Sequence, residues 1–166
     1  LEHIADGVMV VHAERRIVSV NPAFPQITGY TEHEAIGQLA SLTRSTRHDE
    51  HFYQALWDDM EAAGFWRGEI WNKRKNGEVY PEWLTISAVR DNAGKTTHYV
   101  GVFSDITAVK ETQEKLDHLA HHDALTALPN RLLFHDRLQH ALARAARDGE
   151  QLAVLFIDLD RFKDIN

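Results

Sequence analysis

Residues 65–107 constrain the fold more than any other part of the chain, because they read as three consecutive antiparallel strands. Asn76-Gly77 stands between two β-prone runs, and this dipeptide tolerates the positive φ angles that a tight hairpin turn demands. Asp91-Asn92-Ala93-Gly94 repeats the turn signal one strand later, with a longer loop. In the middle strand Leu84, Ile86 and Ala88 share one face, while Trp83, Thr85 and Ser87 share the other. The last strand sets Val100 and Val102 on one side and Tyr99, Gly101 and Phe103 on the opposite one. A sheet with one apolar face needs a cover, and the residues ahead of it are suited to supply one.

Two short apolar strands, residues 8–11 and 17–20, are joined by the charged turn Glu14-Arg15-Arg16. Asn21 then reads as a helix N-cap, with Pro22 at the first helical position, where its missing N–H costs nothing. Pro25, at the fourth helical position, removes the first intrahelical bond and predicts a short or distorted helix. Thr31-x-x-Glu34 has capping-box spacing and opens another short helix that ends near Gly37. The longest helix of this half is expected over residues 51–64. Phe52, Ala55, Leu56, Met60 and Ala63 recur there at three- and four-residue steps and make one apolar stripe, the lid over the sheet.

A net charge of -7 leaves no basic face for nonspecific nucleic-acid binding. The lack of cysteine excludes disulfides, thiolate metal sites and c-type haem attachment. The longest wholly apolar run, residues 152–157, is far too short to span a bilayer. No membrane segment is therefore expected here and a cytoplasmic location is, although an anchor could precede Leu1. A start on Leu1 and a stop at Asn166 predict a piece of a longer protein.

The character changes after residue 107. Residues 108–121 are polar except at Val109, Leu116 and Leu119, which with Thr112 follow an a/d pattern. By spacing alone the segment reads either as a solvated helical linker or as a dimerising one, since two heptads are too few to identify a coiled coil. Further on, Phe134, Leu138, Ala141, Leu142 and Ala145 form a helical stripe that Gly149 can close. Residues 152–159 are apolar on both faces, as expected of a central strand between helices.

Two sets of motifs carry a family resemblance. Trp66-x-Gly68-Glu69, Asn72-Lys73-Arg74-Lys75-Asn76-Gly77 and the closing Asp105-Ile106-Thr107 resemble the second half of a PAS sensory domain. Asn21-Pro22-Ala23-Phe24 and Thr28-Gly29-Tyr30 resemble its first half. From His122 onward, the run from Asp123 to Arg131 and the run from Phe156 to Asn166 resemble the start of a GGDEF domain, the diguanylate cyclase fold. Ala127 stands where that family usually has glycine. The resemblance implies an α+β chain: a PAS fold over residues 1–107, an antiparallel sheet with flanking helices, then a signalling-helix linker over 108–121. The truncated start of an α/β GGDEF domain follows over 122–166. A linker directly after Asp-Ile-Thr implies parallel dimerisation through Val109, Leu116 and Leu119, and so a homodimer.

Asp158 and Asp160 fall at the C-terminal end of an expected strand, where α/β folds place ligands, and carboxylates there suit Mg²⁺. By residue type alone, such a pair is more often a solvated turn than a metal site. The GGDEF resemblance makes Asp158 a metal ligand, lays the backbone around Arg161, Phe162 and Lys163 against the triphosphate of GTP, and gives Asn166 the guanine. The family's signature loop and a second metal carboxylate do not occur in these residues. The catalytic set is thus incomplete here, and the resemblance assigns the condensation of two GTP into cyclic di-GMP to the longer parent.

In the PAS half, Phe52 and Leu56 are expected to face Ile70, Leu84, Ile86 and Val102, with Trp66 and Asn72 beside them. Trp66, Trp71, Tyr80 and Trp83 are bulky enough to predict a mainly filled interior, with at most a small pocket beside Asn72. Three readings of a cofactor stay open. Asn72 and Trp66 stand where some flavin-binding relatives carry the same types, and an amide can pair with the isoalloxazine edge. His48 and His51 stand where haem-binding relatives carry an iron ligand. No fixed cofactor is the third reading, and without cysteine the flavin-cysteinyl photocycle of light-sensing relatives is excluded. His121-His122-Asp123 reads as a metal pair or as a hinge, and the hinge is preferred because the distant ligands of a phosphohydrolase are missing. The expected function is sensory: a small-molecule or protein signal received by the PAS half is relayed through the linker to a diguanylate cyclase. The rival readings are a flavin- or haem-loaded redox or gas sensor, and a protein–protein interaction module with an inactive cyclase half. A phosphodiesterase domain further downstream would go unseen.

Overall fold

The structure, a computed structural model, describes residues 6–157. The chain divides into two compact units, Leu1–Glu111 and Thr112–Asn166. In the first unit, β1 (Gly7–His12), β2 (Ile17–Val20), β3 (Phe65–Lys73), β4 (Val79–Arg90) and β5 (Thr96–Asp105) form one sheet in the order β2-β1-β5-β4-β3. Every neighbouring pair is antiparallel. Gly77 takes φ 92 in the β3–β4 turn and Gly94 takes φ 79 in the β4–β5 turn, the left-handed backbone these turns require. This is the α+β PAS fold.

The helices cover the inner face. α1 (Ala23–Thr28) starts one residue later than the sequence suggests, so Pro25 lies within the first turn, where backbone N–H groups have no intrahelical acceptor. The Asn21 side chain does cap it, accepting from the Phe24 N–H at 3.2 Å, while also accepting from Val8 N–H at 2.9 Å. α2 (Glu32–Ala35) carries the full Thr31–Glu34 capping box. α3 (Glu50–Ala63) is capped by Asp49 and ends at Gly64. Its inner stripe differs from the expected one. Leu56 and Met60 are buried and Tyr53 and Trp57 pack against the core, whereas Ala55 and Ala63 are exposed. The large side chains took the inner face, since they release more apolar surface from water than alanine does.

Register fixes which side chains look inward. Leu84 lies opposite Gly68 and Phe103, and Gly101 lies opposite Met9 and Ile86. Val102 pairs with Val8 and Thr85, one residue out of phase with the buried Phe103. It therefore sits on the outer face, and its expected place against the lid helix is corrected by strand alternation. Trp71 and Trp83 fall on the outer face as well, opposite Pro81 and Ser104 respectively.

α4 (Thr107–His121) leaves the sheet straight after β5, and α5 (Arg131–Asp148) is capped by Asn130 and closed by Gly149. Between them Asp123 accepts from the N–H groups of Leu125 and Thr126 and from the Thr126 hydroxyl, a local turn cap. Ala127 takes φ 56 there, a left-handed conformation that disfavours a side chain. His122 stacks on His118 with ring centroids 4.2 Å apart. The strand expected over 152–159 does not form in its described part, residues 152–157. No other strand occurs among the described residues of that unit, and a strand without a neighbour has no partner for its backbone hydrogen bonds.

Candidate functional site

The interior between lid and sheet is open. A cavity of about 500 Å³ lies between α3, the inner face of β3–β5 and the 3₁₀ turn Ala40–Thr43. The expectation of a filled interior is overturned, because Trp71 and Trp83 turn outward and Gly101 presents bare backbone at the cavity wall. Of the residues expected to line it, Leu56, Ile70, Asn72, Leu84 and Ile86 do so. Phe52, Trp66 and Val102 do not. Phe52 stacks on His48 with centroids 4.0 Å apart and meets the Trp66 ring edge-on, in an aromatic cluster that reaches the cavity only through the Tyr53 ring.

Glu82 is the residue that sequence reasoning missed. It faces inward from β4, is 2 % exposed and lines the cavity. Its Oε1 accepts from the Asn72 amide and its Oε2 from the Tyr80 hydroxyl, each at 2.8 Å. Burial pushes its carboxyl up to about 7, against the smaller opposing pull of the two donors. The signal was present in the alternation, since Glu82 is in phase with Leu84 and Ile86. Near it, the Tyr53 hydroxyl also lines the cavity and is buried with no hydrogen-bond partner.

Phe24, Leu56, Ile70 and Phe103 form a buried apolar wall, while Thr28, Ser41, Thr43 and Gln54 add further polar groups to the lining. The open side is charged: Glu14, Glu50, Asp58 and Glu61 stand there with Arg15 and Arg44. Both guanidiniums lie on aromatic faces, Arg15 at 3.7 Å over Trp57 and Arg44 at 3.6 Å over Tyr53. Among the described residues no histidine lines the cavity. His48 accepts the Trp71 N–H on Nε2 at 3.0 Å, and His51 is exposed, so neither offers a haem ligand there. A flavin is different: the volume falls in the usual range for ligand pockets, and Asn72 and Glu82 offer polar atoms to a ring edge.

Behind Tyr80 sits a second polar cluster. The Arg74 guanidinium lies 3.9 Å over the Tyr80 ring, donates to the Ile27 carbonyl, and ion-pairs with Asp105 at 2.5 Å. Asp105 in turn accepts from the Thr107 N–H at 2.9 Å and from its hydroxyl at 2.6 Å, capping α4. Lys110, in the first turn of α4, pairs with Glu69 of β3 at 2.6 Å. The Asp105-Ile106-Thr107 motif is thus the joint between sheet and helix.

The expected nucleotide and metal residues Asp158, Arg161, Phe162, Lys163 and Asn166 lie outside the described residues. Among the described residues no group of three or more His, Asp or Glu side chains could hold a metal ion. Val109, Leu116 and Leu119 are all exposed on α4. Among the described residues no helix is long and apolar enough to cross a membrane.

A five-stranded antiparallel sheet, a helical lid and a hollow interior define a PAS sensory domain, and the chain belongs to the PAS domain family, whose model matches residues 5–108. The model of the diguanylate cyclase GGDEF domain matches residues 120–166. The Escherichia coli protein named "Probable diguanylate cyclase DgcE" is 29% identical over the whole chain, which spans 15% of that relative. Diguanylate cyclase TpbB of Pseudomonas aeruginosa is 57% identical over 58 residues, 35% of this chain and 13% of that protein. Among solved structures, an RNA-binding light-oxygen-voltage receptor superposes with a TM-score of 0.61 at 28% identity, covering 69% of this chain and 33% of that one.

Proposed function

We propose that the PAS half is the small-molecule receptor of a cyclic-di-GMP signalling protein, and that occupancy of its cavity reaches a diguanylate cyclase domain through α4. The observation that carries this reading is the contiguity of the two polar clusters. Glu82, in the cavity, holds the Tyr80 hydroxyl; Arg74 packs on the Tyr80 ring; Asp105 ties Arg74 to the N-terminus of α4. A ligand that engages Glu82 adds a donor beside the one from Tyr80, and any resulting shift of the Tyr80 ring is felt by the guanidinium on its face. Hydrogen exchange tests the route. Glu82→Gln is expected to change protection of the amides of residues 107–110, and unchanged protection there would break the proposed relay.

In the parent, Mg²⁺ bound by Asp158 and GTP held along 161–163, with Asn166 on the guanine, would supply the phosphoryl chemistry of condensation. Each protomer holds one GTP in that scheme, so dimer geometry sets the rate. Val109, Leu116 and Leu119 are the seam we assign to α4, and the Leu116→Lys, Leu119→Lys double variant places like charges in it. Sedimentation should then show a weakened dimer; a dimer of unchanged affinity would move the interface to the sheet. Flavin is the second reading for the occupant, favoured by Asn72 inside the cavity and by the light-oxygen-voltage receptor among the structural relatives. A visible absorption band that copurifies with the protein decides for it.

A further inference from the structure

We propose that the cavity is built for an organic cation, with an apolar planar body between lid and sheet and an amine or amidinium end against Glu82. The proposal rests on the reading of the PAS half as a small-molecule receptor and names the class of molecule received.

Charge points to it first. Both oxygens of Glu82 accept from neutral groups, Asn72 and Tyr80. A carboxylate offers about four lone-pair positions, so about two stay free for further donors. None of the described cations forms an ion pair with Glu82, and the guanidinium nearest along the network, Arg74, is spent on Asp105 and Glu78. A buried carboxylate with no ion-paired cation is costly, and burial is what raises its pKa, with only a minor opposing pull from the charge of Arg74.

The open side has the same sign. Arg44 and Glu50 cancel each other at 2.9 Å, which leaves Glu14, Asp58 and Glu61 against Arg15. Such an entrance concentrates cations and repels carboxylates and phosphates. The Tyr53 hydroxyl supplies a second, independent point of contact. It is buried without a partner in the same cavity and can accept an N–H that the carboxylate does not take. Leu56, Ile70, Leu84 and Phe103 leave an apolar slot for the rest of the molecule.

Three nearly isosteric probes separate the classes: benzamidine is a cation, benzamide is neutral and benzoate is an anion. Each is titrated at neutral pH into the isotopically labelled full chain, and affinity is read from amide shifts at the cavity wall. Benzamidine should bind at least about tenfold more tightly than benzamide, and benzoate should not bind. Glu82→Gln should lower benzamidine to the level of benzamide. Because the ranking is read on the unaltered protein, it stands even if that variant fails to fold. Benzamide or benzoate matching benzamidine, or Glu82→Gln leaving benzamidine unaffected, overturns the cation proposal and leaves the receptor reading intact. No shift at Ile70, Leu84 or Phe103 with any probe overturns both.

Discussion

Two polar clusters lie side by side on β3, β4 and β5, and they are satisfied in opposite ways. Around Arg74 every charge has a close partner: Asp105, Glu78, the Ile27 carbonyl and the face of Tyr80 surround the guanidinium. Asp105 is held below the usual carboxylate range, its burial outweighed by hydrogen bonds from Thr107 and Arg74. Around Glu82 the donors are neutral and no cation forms an ion pair with it among the described residues, and the nearby Tyr53 hydroxyl has no hydrogen-bond partner although Arg44 lies on its ring. A fully paired cluster behaves as a fastening, because each partner stabilises the others. A half-paired cluster facing a cavity costs stability while empty and can recover it from a ligand. The same strands therefore carry a joint and a site.

Breaking the joint should destabilise the fold. Arg74→Ala leaves the Asp105 carboxylate with only its Thr107 donors and frees the Ile27 carbonyl, and we predict a loss of roughly 2 kcal/mol in urea unfolding, below the range for a fully buried ion pair because this one is part-buried. A loss under about 1 kcal/mol would mean that the cluster is no fastening.

The site should reveal itself through pH. The Glu82 carboxyl is raised to about 7 in the folded chain, whereas an unfolded glutamate titrates near its ordinary value of about 4.3. Between these values the folded state holds the extra proton, so stability falls as pH rises and levels off above about 7. The span corresponds to about 4 kcal/mol. His48 titrates in the same window with the opposite slope, because burial lowers it. The difference between wild type and Glu82→Gln removes that contribution. The expected outcome is a wild-type disadvantage that grows from pH 5 to pH 7; a flat difference would place a counter-charge at Glu82.

How much of this was legible in the chain itself follows from which physical rule decided each feature. The sheet was readable from Asn76-Gly77 and from alternation, and the Thr31–Glu34 box from its spacing, because both are local rules. The cavity was not. Alternation already set Trp83 on the face opposite Leu84 and Ile86, but the outward phase of Trp71 follows from the β3–β4 register, where it lies opposite Pro81, and no local pattern shows that. Val102 was misplaced for the same reason, by a single-residue phase. Glu82 was passed over because an acidic residue in a strand reads as solvated, and only the neighbouring inward positions betray it. Asn72 was found, but its partner became visible only when the β3–β4 register set it opposite Tyr80, two residues from Glu82.

The wall of the site gives a smaller, sharper contrast. Leu84 borders the cavity, whereas Met60 is fully buried and away from it. Truncating a side chain that already faces a void forfeits fewer contacts than truncating one packed on all sides. Leu84→Ala is expected to cost about 1–2 kcal/mol and Met60→Ala about 3 kcal/mol, read from denaturation midpoints at constant slope. Equal costs would mean that the interior closes up in solution.

The smallest effect is also the most discriminating, because it asks one deletion to have two signs. Tyr80 and Tyr53 each carry a buried hydroxyl, yet the first donates to Glu82 at 2.8 Å and the second has no partner. Tyr80→Phe removes a donor from a carboxylate that has only two and should destabilise the protein. Tyr53→Phe removes a polar atom that is desolvated for nothing while the cavity is empty, and it should stabilise the protein by about 1 kcal/mol. The gain should shrink once benzamidine is added at saturation, since the wild-type hydroxyl then has an N–H to accept while the phenylalanine ring does not. A Tyr53→Phe protein less stable than wild type without added ligand would show that the hydroxyl is already satisfied, and Tyr53 would then belong with Arg74 among the fastened groups rather than with Glu82.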